Sequence, residues 1–327
     1  MKSALDGTEE CLFLQAPRQC LKSHEDTVVA CRENRALCYL PPTQKWFELP
    51  KMNSSFRYPE QTEHAIGVCH GRLYIIGRTT TRGYGSTSCV AERYEPSLNK
   101  WFQVNPPANV ASFFAVATLQ GFIYILGGKD SQNTSRDSVQ KYNPDTNMWQ
   151  EVLPLSSPRA KVCAIADGSY LYAIGGSDST NQYLDIVDRF DPRSNTWNKL
   201  PSMHSRRASA SGAAIKKKVF VFGGTQPEGV DGHACEMYDP DTKVWSAFAS
   251  QVAPRITSAV SFKGKIYVFG TFRDVNWHEN AQGLQVYDAD QNHWESCTNV
   301  PIFNTFLQIS CLRIPIHVLA KCNLLLS

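Results

Sequence analysis

The sequence predicts an all-β fold: a six-bladed propeller with four antiparallel strands in each blade. Two locked residue series and one absence carry that prediction. An aromatic residue stands seven positions before a tryptophan six times, as "YLPPTQKW" (Tyr39 to Trp46), "YEPSLNKW" (Tyr94 to Trp101), "YNPDTNMW" (Tyr142 to Trp149), "FDPRSNTW" (Phe190 to Trp197), "YDPDTKVW" (Tyr238 to Trp245) and "YDADQNHW" (Tyr287 to Trp294). The tryptophans are 55, 48, 48, 48 and 49 residues apart. A second series runs ahead of the first: "LYIIGR" (Leu73 to Arg78), "IYILGG" (Ile123 to Gly128), "LYAIGG" (Leu171 to Gly176), "VFVFGG" (Val219 to Gly224) and "IYVFGT" (Ile266 to Thr271). No helical period accompanies either series. Four-stranded sheets repeated at 45 to 50 residues are the blades of a propeller.

Each strand of a unit has its own local reason. In "AKVCAIADGSYLYAIGG" (Ala160 to Gly176) two apolar runs flank Asp167-Gly168, a hairpin turn signal. The run "YLYAI" is too short for a helix and suits a strand. It ends at a glycine pair, where the backbone takes positive φ or passes close to a neighbour. After a polar stretch, "IVDRF" reads as the third strand, "DPRSNT" as a tight turn and "WNKL" as the fourth strand. The repeat aromatic and the tryptophan then pack in the seams between neighbouring blades. The first repeat has no glycine pair, and its second strand is either Cys11 to Gln15 or Thr27 to Cys31. Downstream of the last tryptophan, Asn304 to Ile314 reads as a first strand with no blade of its own. It is expected to complete the N-terminal blade and close the ring. Blades two and six depart from the pattern with Gly77-Arg78 and Gly270-Thr271.

The glycine pair, the aromatic-to-tryptophan spacing and the period together resemble the kelch repeat. A WD-type propeller would carry Trp-Asp at blade ends, and this chain has none. The resemblance covers the chain from about residue 11 to 316, with a lead-in at 1–10 and an apolar tail at 317–327.

Composition narrows function. The 327 residues carry a net charge of +3 and are 42% hydrophobic. That charge is too small for a dedicated nucleic-acid binder. The longest charge run, Lys216-Lys217-Lys218, falls at an expected hairpin turn and reads as solvated. The eleven cysteines form no C-x-x-C pair and lie among apolar residues. They read as reduced, packed side chains of a cytoplasmic or nuclear protein. The N-terminus has acids before its short apolar run, unlike a signal peptide, and no apolar stretch reaches a membrane span. Nucleophile elbows, zinc-protease motifs and phosphate loops are absent, and the eight histidines occupy unlike positions. No cofactor or metal is expected, and no catalysis.

Recognition is therefore expected on loops held by a rigid scaffold. One varied family follows each glycine position: Arg78 to Ser88, Lys129 to Ser138, Ser177 to Asp185, Thr225 to Cys235 and Thr271 to Gly283. The other precedes each first strand: Met52 to His64, Ser156 to Lys161, Met203 to Ser209 and Val252 to Thr257. The resemblance implies that both families lie on one face and bind a partner. Arg159, Arg207 and Arg255 share the slot just before a first strand, 16, 16 and 15 residues ahead of Gly175, Gly223 and Gly270. They either offer guanidinium forks to a partner or brace loops within their own blade. Trp277 is the only tryptophan outside the repeat position, and it lies in a long loop beside His278 and Arg273. Tyr84, Tyr183, Phe56 and Tyr58 are further aromatic candidates, and Arg78 and Arg82 complete a mixed basic face suited to an acidic or aromatic-containing peptide. The chain looks like the propeller of a BTB–BACK–kelch protein, without those other domains. In that family the propeller captures a client protein while the other domains recruit a cullin-type ubiquitin ligase. Actin-binding scaffolds and copper-dependent oxidases are two further functions found among kelch propellers.

Overall fold

A computed structural model describes residues 23–32, 34–53, 64–80, 87–108, 112–227, 235–248, 255–273, 280–299 and 308–325. Six antiparallel sheets are present. Blade 2 comprises His64–Cys69, Arg72–Thr80, Thr87–Glu95 and Lys100–Val104. Blade 3 comprises Ala115–Leu119, Phe122–Leu126, Val139–Asn143 and Met148–Val152. Blade 4 comprises Cys163–Ala166, Leu171–Ile174, Val187–Asp191 and Thr196–Leu200. Blade 5 comprises Ser211–Ile215, Lys218–Phe222, Cys235–Asp239 and Val244–Phe248. Blade 6 comprises Arg255–Phe262, Lys265–Arg273, Asn280–Asp288 and His293–Asn299.

Blade 1 is assembled from both ends of the described chain. His24–Arg32, Arg35–Leu40 and Lys45–Glu48 form its second, third and outer strands, and Gln308–Pro315 supplies the inner one. The closing pair runs from His24↔Pro315 to Cys31↔Gln308. Of the two segments expected for the second strand, Thr27 to Cys31 is the one found there, and residues 11–15 lie outside the described residues. The inner strands contact one another in order, from blade 1 round to blade 6 and back, so the ring is closed.

The core is divided among the seams. Six buried clusters each join two neighbouring blades, and together they account for all six seams. Each repeat aromatic pairs directly with its tryptophan, as in Tyr142↔Trp149 and Phe190↔Trp197, with ring centroids 4.9 to 5.3 Å apart in all six blades. In four blades the indole N–H then reaches back one blade, whereas those of Trp46 and Trp294 are buried without such a bond. Trp101 donates to the Pro50 carbonyl, Trp149 to Asn105, Trp197 to Leu153 and Trp245 to Pro201, at 2.8 to 2.9 Å. The turn between these partners is fixed by a left-handed residue, Asn99, Asn147 or Asn292, whose amide oxygen accepts from the Tyr94, Tyr142 or Tyr287 hydroxyl. One motif thus sets the turn, the outer hairpin and the seam.

The glycine pairs answer to two demands at once. Gly175 and Gly176 have φ of 58° and 104°. A Cβ on Gly175 would stand 2.5 Å from the Arg207 carbonyl of the next blade. The pair therefore ends the second strand and lets the next blade approach. Where the pair is broken, the strand runs on: in blade 2 the hairpin continues to Thr80↔Thr87, and in blade 6 to Arg273↔Asn280. The lysine run does form a turn, but two of its members are tied down. Lys216 bridges to Asp290 of blade 6, and Lys218 to Asp239 of its own blade.

Candidate protein-interaction site at the channel mouth

Inner strands carrying small side chains leave a central channel of about 570 Å³. Its wall includes Ala65, Ala117, Ala166, Gly212, Ala259 and Ser310, one from each blade. Among the described residues, Lys161 is the only charged one lining it.

The two loop families meet at one end of this channel. Gly128 N–H donates to the Arg159 carbonyl and Gly176 N–H to that of Arg207, each joining a post-glycine loop to the loop before the next blade's first strand. Further bridges pair Ser112 with Lys129, Ala160 with Ser177 and Ala208 with Thr225. Around the mouth runs a backbone collar. Phe113, Lys161 and Ser209 are 48 residues apart, each left-handed at φ of 57°, 56° and 54°. Lys161 N–H donates to the Phe113 carbonyl, and Ser209 N–H to the Lys161 carbonyl, both at 2.9 Å. Non-glycine residues held at positive φ are costly, and such positions cluster at functional sites.

The collar is electropositive. The Lys161 ammonium sits 4.9 Å from the centroid of the Phe113 ring. Burial, and then the charge of Lys129, hold its pKa below the usual lysine range. Lys129 is itself buried, and its ammonium donates to the Asn181 amide oxygen at 2.6 Å. The neighbouring loops of blades 3 and 4 are preset by one device used twice. Asp130 accepts from the Gln132 and Thr134 N–H groups, and Asp178 from Thr180 and Gln182, with Asn133 and Asn181 left-handed at the tips.

The structure corrects the expectation for two of the slot arginines. Arg159 and Arg207 are 0% and 1% exposed. Arg159 pairs with Asp188 and donates to the Gly175 and Ile186 carbonyls, all in its own blade. Arg207 donates to Glu236 at 2.6 Å and to the Gly223 carbonyl at 2.8 Å. A fork in that slot points into the blade because the third strand supplies a buried carboxylate there; bracing, not display, is its role. The bracing reaches the surface in blade 5. Glu236 also accepts from the His204 and Ser205 N–H groups and contacts His204 Nδ1 at 3.1 Å, which fixes an imidazole that is 64% exposed. Arg206 is the exposed arginine of that loop, 3.7 Å from Asp185.

The remaining candidates are dispersed. Arg78 stands in the extended hairpin of blade 2, opposite Cys89, and is partly buried. Tyr183 closes the blade 4 loop against Ser177 and is also partly buried. Arg255 begins the inner strand of blade 6, opposite Thr271, and Arg273 lies in that blade's extended hairpin; neither side chain is among those described. Phe56, Tyr58, Arg82, Tyr84, Trp277 and His278 lie outside the described residues. Sequence reasoning passed over Lys161 and Lys129. The available signal was position: Lys161 is two residues beyond the buried slot, where the chain turns into the channel wall. Among the described residues no group of three His, Cys, Asp or Glu side chains could hold a metal ion, and no helix is long and apolar enough to cross a membrane.

Comparison with known proteins fits this geometry. The KLHDC2/KLHL20/DRC7 Kelch-repeats domain family matches residues 113–302. Kelch-like protein 13 of Mus musculus is 32% identical over 96 residues, 28% of this chain and 14% of that protein. Kelch-like protein 33 of Homo sapiens is 29% identical over 124 residues, 38% of this chain and 22% of that protein. These matched segments span less than a quarter of either relative's length. A solved structure titled "Structure of YjhT" superposes with a TM-score of 0.68 at 13% identity, covering 84% of this chain and 97% of that one, a likeness of fold. With more than half its length matched by the family, carried on six closed four-stranded blades, the chain belongs to the kelch-repeat propellers.

Proposed function

We propose that this propeller is a protein-binding module that captures a client on its loop face, and that it serves as the substrate receptor of a cullin-type ubiquitin ligase. The observation that carries the first part is the collar at the channel mouth. Lys161 and Lys129 place two ammonium groups beside the Phe113 ring and the Asn181 amide oxygen, on backbone fixed by inter-blade hydrogen bonds. Lys161 has no carboxylate within salt-bridge distance among the described residues. A preformed, partly desolvated positive site of this kind favours an acidic group presented by a looped or extended client segment. Lys129 also lies near Asp178, so the field is strongest at Lys161. The ligase role follows from kinship with kelch-like proteins and requires BTB and BACK domains outside this chain.

A phage-displayed library of random 12-residue peptides tests the binding site. Sequences rich in Asp and Glu are expected to enrich on the wild-type chain and to vanish on Lys161→Glu. Enrichment that ignores charge, or that survives Lys161→Glu, would overturn the assignment. The ligase role is tested separately, by whether a full-length protein carrying this propeller co-purifies with a cullin.

A further inference from the structure

The outer strand of a propeller blade normally presents a free edge, and an edge is a template for another strand. In five blades here the described sheet stops at the fourth strand, while blade 1 has a fifth. After the closing strand the chain makes one helical turn, Ile316–Leu319, and returns as Asn323–Leu325 along the outer strand, with Asn323↔Glu48, Leu324↔Phe47 and Leu325↔Trp46 paired. Val318 and Leu319 are 2% and 6% exposed and enter the seam between blades 1 and 2, among Leu49, Met52 and Trp101, with Cys322 packed against the same cluster. Leu325 packs in the opposite seam, between blades 6 and 1, beside Trp46. The segment thus clasps blade 1 from both sides. Its hold is uneven: the strand is three residues long, and Leu324 and Ile316 are 45% and 40% exposed.

We infer that the outer edge of blade 1, with the two seams beside it, is a second docking surface that accepts an extended peptide by strand addition, and that residues 316–325 are its built-in occupant. The tail displays what the site takes. An adjacent pair of aliphatic residues fills one seam, a short turn follows, and a strand of at least three residues pairs with Lys45–Glu48 and puts a leucine into the other seam. The partner is a protein segment of that pattern, and it gains access when the tail is displaced. This surface is on the circumference, so it is independent of the collar.

The test uses the full chain and a labelled peptide of residues 315–325 carrying Cys322→Ser. In a Val318→Ser/Leu319→Ser chain the tail loses its anchor. Fluorescence anisotropy should show saturable peptide binding to this variant and at least tenfold weaker binding to the wild type, whose site is filled. A peptide carrying the same two substitutions should bind the variant at least tenfold more weakly. Hydrogen exchange at the amides of Lys45–Glu48 should quicken in the variant and slow again with peptide. Equal binding to both chains, or no binding to a variant with native near-UV circular dichroism, overturns the inference. If the double variant loses native circular dichroism, Leu325→Ser replaces it, and unchanged exchange at Lys45–Glu48 overturns the inference. Adding Lys161→Glu should leave peptide binding intact, which separates this surface from the loop face.

Discussion

Replacing Arg207 by methionine should destabilise the propeller far more than any surface substitution. The guanidinium is 0% exposed and its partner Glu236 2% exposed, with Nη2 and Oε1 2.6 Å apart. Methionine keeps much of the volume but leaves a carboxylate buried with, among the described residues, only the His204 and Ser205 N–H groups and the His204 ring beside it. It also strips the Gly223 carbonyl of its guanidinium donor. Breaking one side of a buried pair costs about 3 to 5 kcal/mol, against about 0.5 kcal/mol or less for an ordinary surface residue. Unfolding entropy of about 2.1 cal/mol/K per residue gives about 0.7 kcal/mol/K for 327 residues. The expected fall in Tm is therefore about 4 to 7 °C by calorimetry. Arg207→Met with Glu236→Gln removes the stranded charge and should recover at least half of the loss. A single variant within 1 °C of the wild type, or a double variant no better than the single, would refute the bracing role and return Arg207 to the surface.

Three other outcomes follow from the same geometry. Trp197→Phe deletes the inter-blade bond to the Leu153 carbonyl, 2.9 Å long, while keeping the stacked ring, so it should cost about 1 kcal/mol in urea unfolding. Gly175→Ala combines a φ of 58° with a 2.5 Å approach to the Arg207 carbonyl, so it should cost at least about 2 kcal/mol, whereas alanine in an ordinary strand would be benign. Burial, aided by the Arg32 charge, drives His64 from 6.5 down to about 4. Because the folded value lies below the unfolded one, its contribution is complete above pH 6.5 and is lost as pH falls towards 4. At about 1.4 kcal/mol per pK unit that is roughly 3.5 kcal/mol, and His64→Gln should flatten this part of the stability profile relative to the wild type.

The blades were legible because one eight-residue phrase does three jobs. An aromatic, a turn residue and a tryptophan must recur together for each seam to close, so their spacing survives while the loops vary. The broken glycine pairs were legible only as departures from the pattern; the structure adds their consequence, that with Arg78 and Thr271 in place of the second glycine the strand continues. The reading of the slot arginines missed because it treated them singly. Arg159 and Arg207 each lie 29 residues before a buried acid, Asp188 or Glu236, while blade 3 has Ala111 and Gln140 in the corresponding places. In those two blades the arginine and the acid mark an internal pair, and two blades depart from it: blade 6 has Arg255 but Gln285, and blade 2 has buried Glu92 but no arginine 15 or 16 residues before Gly77. The clasping tail was hidden for another reason. It repeats nothing, and an apolar run of that length has no period by which to assign it a face.

The loop face gains its asymmetry from the same glycines. In blades 3, 4 and 5 the second strands end at Leu126, Ile174 and Phe222, and in blades 3 and 4 compact loops follow. In blade 1 the corresponding hairpin closes at once, Arg32 pairing with Arg35. Blades 2 and 6, on either side of it, carry their hairpins on to Thr80 and Arg273. A near-sixfold scaffold therefore presents a face with two extended hairpins flanking its lowest blade, and the basic collar of blades 3 to 5 lies across the channel from that gap. Symmetry alone would offer a client six equivalent ways to sit. Two missing glycines and one lysine where Phe113 and Ser209 are uncharged remove that degeneracy, which is what a receptor for one orientation of one segment requires.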